Sequence, residues 1–251
     1  MYRFFVPYEQ IDEKQAYIVG DDVNHIRNVL RMVPGDKVIL SDSRGYDYIC
    51  RLETIEPEKI DLSVLEKTPA ISELPVKITL FQALPKKDKM ELIIQKAVEL
   101  GAADVVPVQT KRCIAKMEDK KKAAKKVLRW QGIAEAAAKQ SGRGYIPTVS
   151  EAVSFQKAVT MATEMDMVLV PYELCETMKG SLDAVTKASQ CKKVGIFIGP
   201  EGGYERSEVE TLVENGAVPM SLGKRILRTE TAGLTILSVL MFMIEAEKED
   251  D

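Results

Sequence analysis

The stretch from Lys192 to Ala232, KKVGIFIGPEGGYERSEVETLVENGAVPMSLGKRILRTETA, limits what this chain can fold into more than any other. Val194, Ile196, Phe197 and Ile198 form a short apolar run that ends in Gly199-Pro200-Glu201-Gly202-Gly203, the pattern of a buried strand entering a loop with closely approached backbone. A helix follows: Ser207 is the expected N-cap with Glu210 three residues on, Leu212 and Val213 give an apolar stripe, and Gly216 a stop. Ala217 to Leu222 reads as a second parallel strand, completing a βαβ unit, and opens into Leu222-Gly223-Lys224-Arg225-Ile226-Leu227-Arg228 before the last helix. Two glycine loops at the carboxyl ends of neighbouring parallel strands are where an open α/β sheet places its ligand, although each loop alone would also suit a tight turn.

The letters exclude several ligand classes. Gly199-Pro200-Glu201-Gly202-Gly203-Tyr204 is not the G-x-G-x-x-G of a dinucleotide site, and Gly223-Lys224-Arg225 lacks the hydroxyl residue and upstream glycine of a P-loop. The single histidine, His25, speaks against a His-based metal site or a Ser-His-Asp triad, so no metal is expected. Cys50, Cys113, Cys175 and Cys191 are scattered without a C-x-x-C and are expected as buried thiols. No basic-then-apolar leader opens the chain, and the apolar run Leu234 to Ile244 is short for a bilayer, so the expectation is a cytoplasmic protein with no membrane partner.

Charge is unevenly distributed. Lys86 to Arg143 holds 15 Lys and Arg against 7 Asp and Glu in a chain whose net charge is −3, an asymmetry suited to phosphate-backbone binding. The cluster Lys120-Lys121-Lys122 and Lys125-Lys126 fits either that role or a solvated helix face.

Residues 1 to about 68 alternate short strand patterns (Tyr2 to Val6, Ala16 to Val19, Lys37 to Ser41, Tyr46 to Ile55, Lys59 to Leu65) with turns, and read as a small β-barrel. A helical turn over Val23 to Met32, capped by Asp22, presents His25, Arg27, Asn28 and Arg31. Residues 1–68 carry 9 basic against 13 acidic residues, so Arg27 and Arg31 are a local basic spot in an acidic domain. Pro69 to Pro75 is the expected linker, dividing the chain into domains over 1–70 and 71–251. Beyond it the βαβ rhythm starts: a strand over Val76 to Phe81, a helix over Lys89 to Leu100, a strand over Asp104 to Gln109, a long helix from Glu118 to Gln140 with Trp130 as a packing anchor, and a strand over Met167 to Pro171. Ser141-Gly142-Arg143-Gly144 ends the long helix, with Arg143 either binding phosphate or capping the helix. The final helix is too apolar for one buried face, and Leu237, Leu240, Met241 and Ile244 are expected to meet a second subunit.

The pair IGPEGG and LGKRILRTETA, together with MYRFFV at the start and Ser141-Gly142-Arg143, resembles the RsmE family of ribosomal small-subunit RNA uridine N3-methyltransferases, within the SPOUT superfamily. The resemblance implies an α/β parallel-sheet methyltransferase domain with a C-terminal trefoil knot, preceded by a small PUA-like β-barrel that binds RNA. It implies S-adenosylmethionine as methyl donor, a homodimer, and ribosomal RNA or the small ribosomal subunit as partner. Two other readings stay open: a transfer RNA methyltransferase of the same fold, and a non-catalytic RNA-binding protein.

The same resemblance assigns the cofactor pocket to three loops. Leu169, Val170, Pro171, Tyr172 and Glu173 form one wall, and Gly199, Pro200, Glu201 and Gly202 a second. Leu222, Gly223, Ile226, Leu227 and Arg228 form the third, with Thr231 and Ala232 at the helix start. Removing the N3 proton of uridine calls for a base or a charge stabiliser, for which Glu201 and Glu230 are candidate acceptors and Arg225 and Arg228 candidate stabilisers of the developing oxyanion. Arg3, Arg27, Arg31 and Arg143 are the expected RNA contacts.

Overall fold

The computed structural model describes residues 1–115, 119–173 and 178–249. The expected helix start at Glu118 and the thiol of Cys175 lie outside these residues. The chain packs as two compact units: Met1–Glu73 with Ala138–Ile146, and Leu74–Ala137 with Pro147–Asp251.

The first unit is built on a five-stranded sheet in the order β1-β3-β4-β5-β2. Its strands are β1 (Tyr2–Phe5), β2 (Gln15–Val19), β3 (Lys37–Ser41), β4 (Tyr46–Ile55) and β5 (Lys59–Pro69). β1 pairs with β3 in parallel and the other neighbours are antiparallel. β1 and β2 stand at the two edges, so the sheet is an open half-barrel rather than a closed one. One face is apolar by strict alternation: Val38 and Leu40 of β3, Cys50 and Leu52 of β4, and Ile60 and Leu62 of β5 are all buried in one core with Ile18 and Ile26.

The helical segment is shorter and less regular than expected. Helix α1 (Asp21–Asn24) passes directly into a π-helical turn over His25–Val29 and stops at Arg31, whose φ is +53°. Asp22 does not cap it. Gly20 holds the N-cap position, and the Asp22 carboxylate lies inside the first turn, 3.2 Å from Lys139 Nζ.

The Ser141-Gly142-Arg143-Gly144 turn belongs to this first unit and is tied into it on every side. Glu73 accepts from Arg143 Nε at 2.8 Å and Nη2 at 2.6 Å, and from the Gly144 amide at 2.7 Å. Ser72 Oγ donates to the Gly142 carbonyl, and Ser41 Oγ to that of Gly144. Gly144 admits no side chain, since a Cβ there would come within 2.4 Å of Ala70 Cβ. Arg143 is only 3% exposed, with its guanidinium over the Tyr145 ring. The supposed linker over 69–75 is therefore partly structural, with Ser72 and Glu73 holding this turn.

The second unit is an α/β sheet in the order β12-β10-β11-β6-β7-β8, with β9 beside β7, and its strand pairs are all parallel. In chain order its elements are β6 (Lys77–Ala83), α2 (Lys89–Glu99), β7 (Ala102–Gln109), α3 (Lys120–Ser141), β8 (Thr148–Val149), β9 (Val153–Ser154) and α4 (Phe155–Ala162). There follow β10 (Met167–Pro171), α5 (Met178–Ser189), β11 (Lys193–Ile198), α6 (Arg206–Glu214), β12 (Val218–Met220) and α7 (Thr229–Glu249). The central strands β6 and β11 read as continuous apolar runs because both their faces are covered, and Phe81 stacks on Phe197 at 4.4 Å between ring centroids.

Three expectations are corrected here. The two glycine-loop strands are not neighbours, because β10 lies between β11 and β12. Helix α6 is capped two residues earlier than expected, by a Glu205–Glu208 capping box in which the Glu205 amide donates to Glu208 Oε2 at 3.0 Å. Leu237, Leu240 and Ile244 face inward, each at most 2% exposed, whereas Phe242 is 71% and Val239 40% exposed. Residues 229–247 of α7 would suffice to cross a bilayer by length and composition alone, but Ile236, Leu237, Leu240 and Ile244 are all buried in the core of the protein.

Replacing Glu73 by alanine strips a buried guanidinium and a backbone amide of their acceptor at once. The first unit is expected to lose about 3 kcal/mol or more, read as a lower urea midpoint in intrinsic fluorescence; an unchanged midpoint would show the turn to be held by other contacts.

Candidate active site

The carboxyl ends of β10, β11 and β12 open on one cavity of about 420 Å³. Pro171, Tyr172 and Glu173 wall it from the end of β10, Gly199, Pro200 and Glu201 from the end of β11, and Leu222, Gly223, Ile226 and Leu227 from the loop after β12. Arg225, Arg228 and Ala232 also line it, so the loop that opens α7 contributes both apolar surface and guanidinium groups. Leu169 and Val170 are fully buried within β10 and support the wall without lining it. Gly202 and Thr231 are exposed and are not among the residues that line the cavity, and the Gly202 carbonyl accepts from Arg112 Nη1 at 2.9 Å.

One hydroxyl locks these loops together. Thr229 Oγ1, in a residue only 5% exposed, accepts from Gln82 Nε2 at 2.9 Å and donates to the Gly199 carbonyl at 2.7 Å. Gly199 is closely packed where it stands, since a Cβ there would meet the Tyr204 ring at 3.2 Å and the ring would have to give way. Behind the wall, the buried carboxylate of Glu208 accepts from the Lys111 amide at 2.9 Å as well as from Glu205, fixing α6 to the loop after β7.

The two candidate acceptors are joined by a residue the sequence reading used only as a helix start. Lys89 Nζ lies 3.1 Å from Glu230 Oε2 and 3.3 Å from Glu201 Oε1, and Glu201 also accepts from the Lys86 amide at 3.0 Å. Burial alone would push the Glu201 carboxyl up, but the Lys86 amide, its own amide and Lys89 outweigh it and leave it below the ordinary value of 4.5. Glu230 follows the same balance, with burial opposed by its own amide, by Lys89 and by Arg228. Lys89 is raised above its ordinary value by the Glu230 hydrogen bond first. The carboxylates hold their share of this cluster above the ordinary glutamate range and lose it as pH falls through their lowered values, while Lys89 holds its share until pH rises past its raised one. Across neutral pH the cluster is fully charged.

The signal for Lys89 lay in Lys86-Lys87-Asp88-Lys89, a polar turn directly after an apolar strand. Its partners follow only from β6 lying next to β11 in the sheet. Tyr204 and Ser221 also line the cavity and were not singled out in the sequence, and Thr229, where the last helix starts, lines it as well.

The four arginines expected at RNA are placed in two ways. Arg3 and Arg143 are held internally, Arg3 by Asp47 at 2.8 Å and by the Arg143 carbonyl, and Arg143 by Glu73. Arg27 is half-buried and Arg31 exposed, both on the segment that follows β2.

Comparison with known proteins gives this arrangement its context. Residues 72–241 match the family described as RNA methyltransferase domain, and residues 18–65 the RNA methyltransferase PUA domain. The chain is 39% identical to ribosomal RNA small subunit methyltransferase E of Bacillus subtilis with both proteins fully covered, and 32% identical to that of Synechocystis, covering 98% of this chain and 78% of the relative. Among solved structures, ribosomal RNA small subunit methyltransferase E from Neisseria gonorrhoeae bound to S-adenosyl methionine superposes with a TM-score of 0.84 at 31% identity, over 96% of this chain and 97% of that one. With both of its units matched, and with likeness running from end to end in sequence and in fold, the chain belongs to the ribosomal RNA small subunit methyltransferase E family.

Proposed function

We propose that this protein transfers a methyl group from S-adenosylmethionine to N3 of a uridine in small-subunit (16S) ribosomal RNA. The observation that carries the reading is the three-loop cavity at the carboxyl ends of β10, β11 and β12, in a chain alike from end to end to a relative solved with that cofactor. A cavity of about 420 Å³ with mixed backbone, apolar and charged walls suits a ligand of adenosyl size. Leu222, Ile226 and Leu227 are the apolar surface for an adenine ring, and the backbone at Pro171 to Glu173 and Gly199 to Glu201 offers donors and acceptors for the ribose and amino-acid parts. When bound, the cofactor supplies an electrophilic methyl group on sulfur.

What the chain itself contributes is alignment and charge. Glu201 and Glu230 are held as anions by Lys89 with lowered proton affinity, which suits them to fixing the loops rather than to taking the N3 proton. Arg228 and Arg225 are exposed at the cavity wall and have the geometry to stabilise the negative charge that spreads onto the uracil oxygens as that proton leaves. A guanidinium remains protonated throughout and works only as a donor.

The chain returns from the edge strand β12 to the centre of the sheet, where Thr229 meets Gly199 and Gln82, and this crossing supports a SPOUT-type trefoil knot in the last third of the sequence. Phe242 and Val239 on α7 support a homodimer through the outer face of that helix, joined by the half-buried Met241 of the first expectation and in place of the inward Leu237, Leu240 and Ile244. Ribosomal RNA as substrate supports a cytoplasmic protein.

Three results would test this reading. Lys89→Met leaves two adjacent carboxylates unpaired and is expected to weaken cofactor binding about tenfold, measured by calorimetry in the presence of chelator; undiminished affinity would separate the cluster from the pocket. Arg228→Ala is expected to keep the fold and cofactor affinity while single-turnover methylation falls roughly a hundredfold, with Arg228→Lys recovering only part; near-normal turnover would shift the role to Arg225. Phe242→Asp is expected to give monomers in light scattering, and an unmodified protein that is already monomeric would refute the dimer.

A further inference from the structure

Several basic residues of the second unit are paired with carboxylates, as Lys77 is with Asp104, Lys96 with Glu99, and Arg129 with Glu91. The rim of the cavity differs. Lys86 and Lys87 on the loop after β6, and Lys224, Arg225 and Arg228 on the loop after β12, are all exposed, and among the described residues none forms an ion pair. Both groups adjoin the cavity. Arg225 and Arg228 line it, and the Lys86 amide is bound to Glu201, which also lines it. The carboxylates on the same loops answer these charges only in part: Glu201 and Glu230 share Lys89, Glu230 is also drawn to Arg228, Asp88 and Glu173 are exposed, and among the described residues none of them pairs with Lys86, Lys87 or Lys224.

Such a rim has no use for the cofactor. With a sulfonium, an ammonium and one carboxylate, S-adenosylmethionine is a net cation, and surplus lysines at its entrance repel it. The complement of several unpaired cations spread on two sides of a cavity mouth is a polyanionic strand crossing that mouth.

Backbone conformation adds a second observation. Lys87 sits at φ +56°, a left-handed position that a glycine would occupy without strain, and its side chain is exposed. The local fold therefore gains nothing from a lysine at this position, which leaves its charge as the useful property.

We propose that Lys86 and Lys87 on one side of the cavity, and Lys224 on the other, hold the phosphates that flank the target nucleotide, so that the RNA strand spans the mouth from the β6 loop to the β12 loop. This rests on the methyltransferase reading above and adds to it where the substrate backbone runs. None of the three lysines lines the cofactor cavity, so they can be removed without touching it.

The test is a triple variant, Lys86→Ser, Lys87→Gly and Lys224→Ser, set against a control that loses the same charge elsewhere on the surface, Lys157→Ser, Lys187→Ser and Lys192→Ser. Small-subunit ribosomal RNA binding is measured across a range of potassium chloride concentrations. The rim variant is expected to bind about 10- to 100-fold more weakly near 0.1 M salt, with the slope of log K against log salt reduced by about two. Its cofactor affinity and its turnover at saturating RNA are expected to stay unchanged, so the loss appears in KM for RNA. Lys87→Gly alone is expected to weaken RNA binding without lowering the thermal midpoint, which separates the effect from misfolding. Equal weakening in the control variant, or an unchanged salt slope in the rim variant, would overturn the proposal while leaving the enzyme reading intact; failure of the unmodified protein to bind cofactor or methylate RNA would instead remove that reading.

Discussion

The pocket depends on the hydroxyl of Thr229. It stands where three segments distant in sequence meet: the end of β6 through Gln82, the end of β11 through Gly199, and the first turn of α7. A buried hydroxyl that donates once and accepts once is fully satisfied only when both partners are in place, so the bond chain sets a geometry as well as adding stability. The loop between Met220 and Thr229 carries Arg225, Arg228 and the apolar wall of the cavity, and this anchor fixes where that loop ends.

Charge around the cavity is organised in two layers. The inner layer is the Lys89, Glu201 and Glu230 cluster, one cation between two carboxylates with one negative charge in excess, partly shielded from water. The outer layer is basic and exposed, with Arg225 and Arg228 facing the cavity and Lys86, Lys87 and Lys224 beyond it. A field of this kind stays short-ranged where a net cationic ligand must sit, and reaches outward toward a polyanion. One loop, Lys86 to Lys89, serves both layers because it turns back on Glu201 before entering α2.

Much of this was legible in the letters, and where it was not the reason is physical. Strands β3, β4 and β10 fell at their expected boundaries because alternating or continuous apolar runs there end in strong turn residues. The two-residue strands β8 and β9 and helices α4 and α5 were missed: two residues carry no period, the eight residues of α4 are short for a helical period to stand out although it buries Phe155 and Val159, and α5 buries mainly small side chains, among them Ser181, Ala184, Ala188 and Ser189. The αβ rhythm suggested that β11 and β12 were neighbours, but strand order is decided by packing, and β10 came between them. At the site, both glycine loops were readable while Lys89 was not, since its meaning comes from a strand neighbour more than a hundred residues away. Arg143 misled for a related reason: a charged residue next to glycines looks exposed until its carboxylate, Glu73, is brought to it by the fold.

The short strand Val218–Met220 carries Pro219 at its centre and lies at one edge of the seven-stranded sheet, while the other edge is formed by two-residue strands. Parallel sheets assemble from distant segments and leave their borders unpaired for part of the folding process, when one chain can recruit another. A border of three residues with a missing N–H in the middle offers an incoming strand almost no continuous ladder. The sheet is thus closed to growth on both sides by brevity and by one imino acid, a safeguard against fibre formation that needs no covering helix.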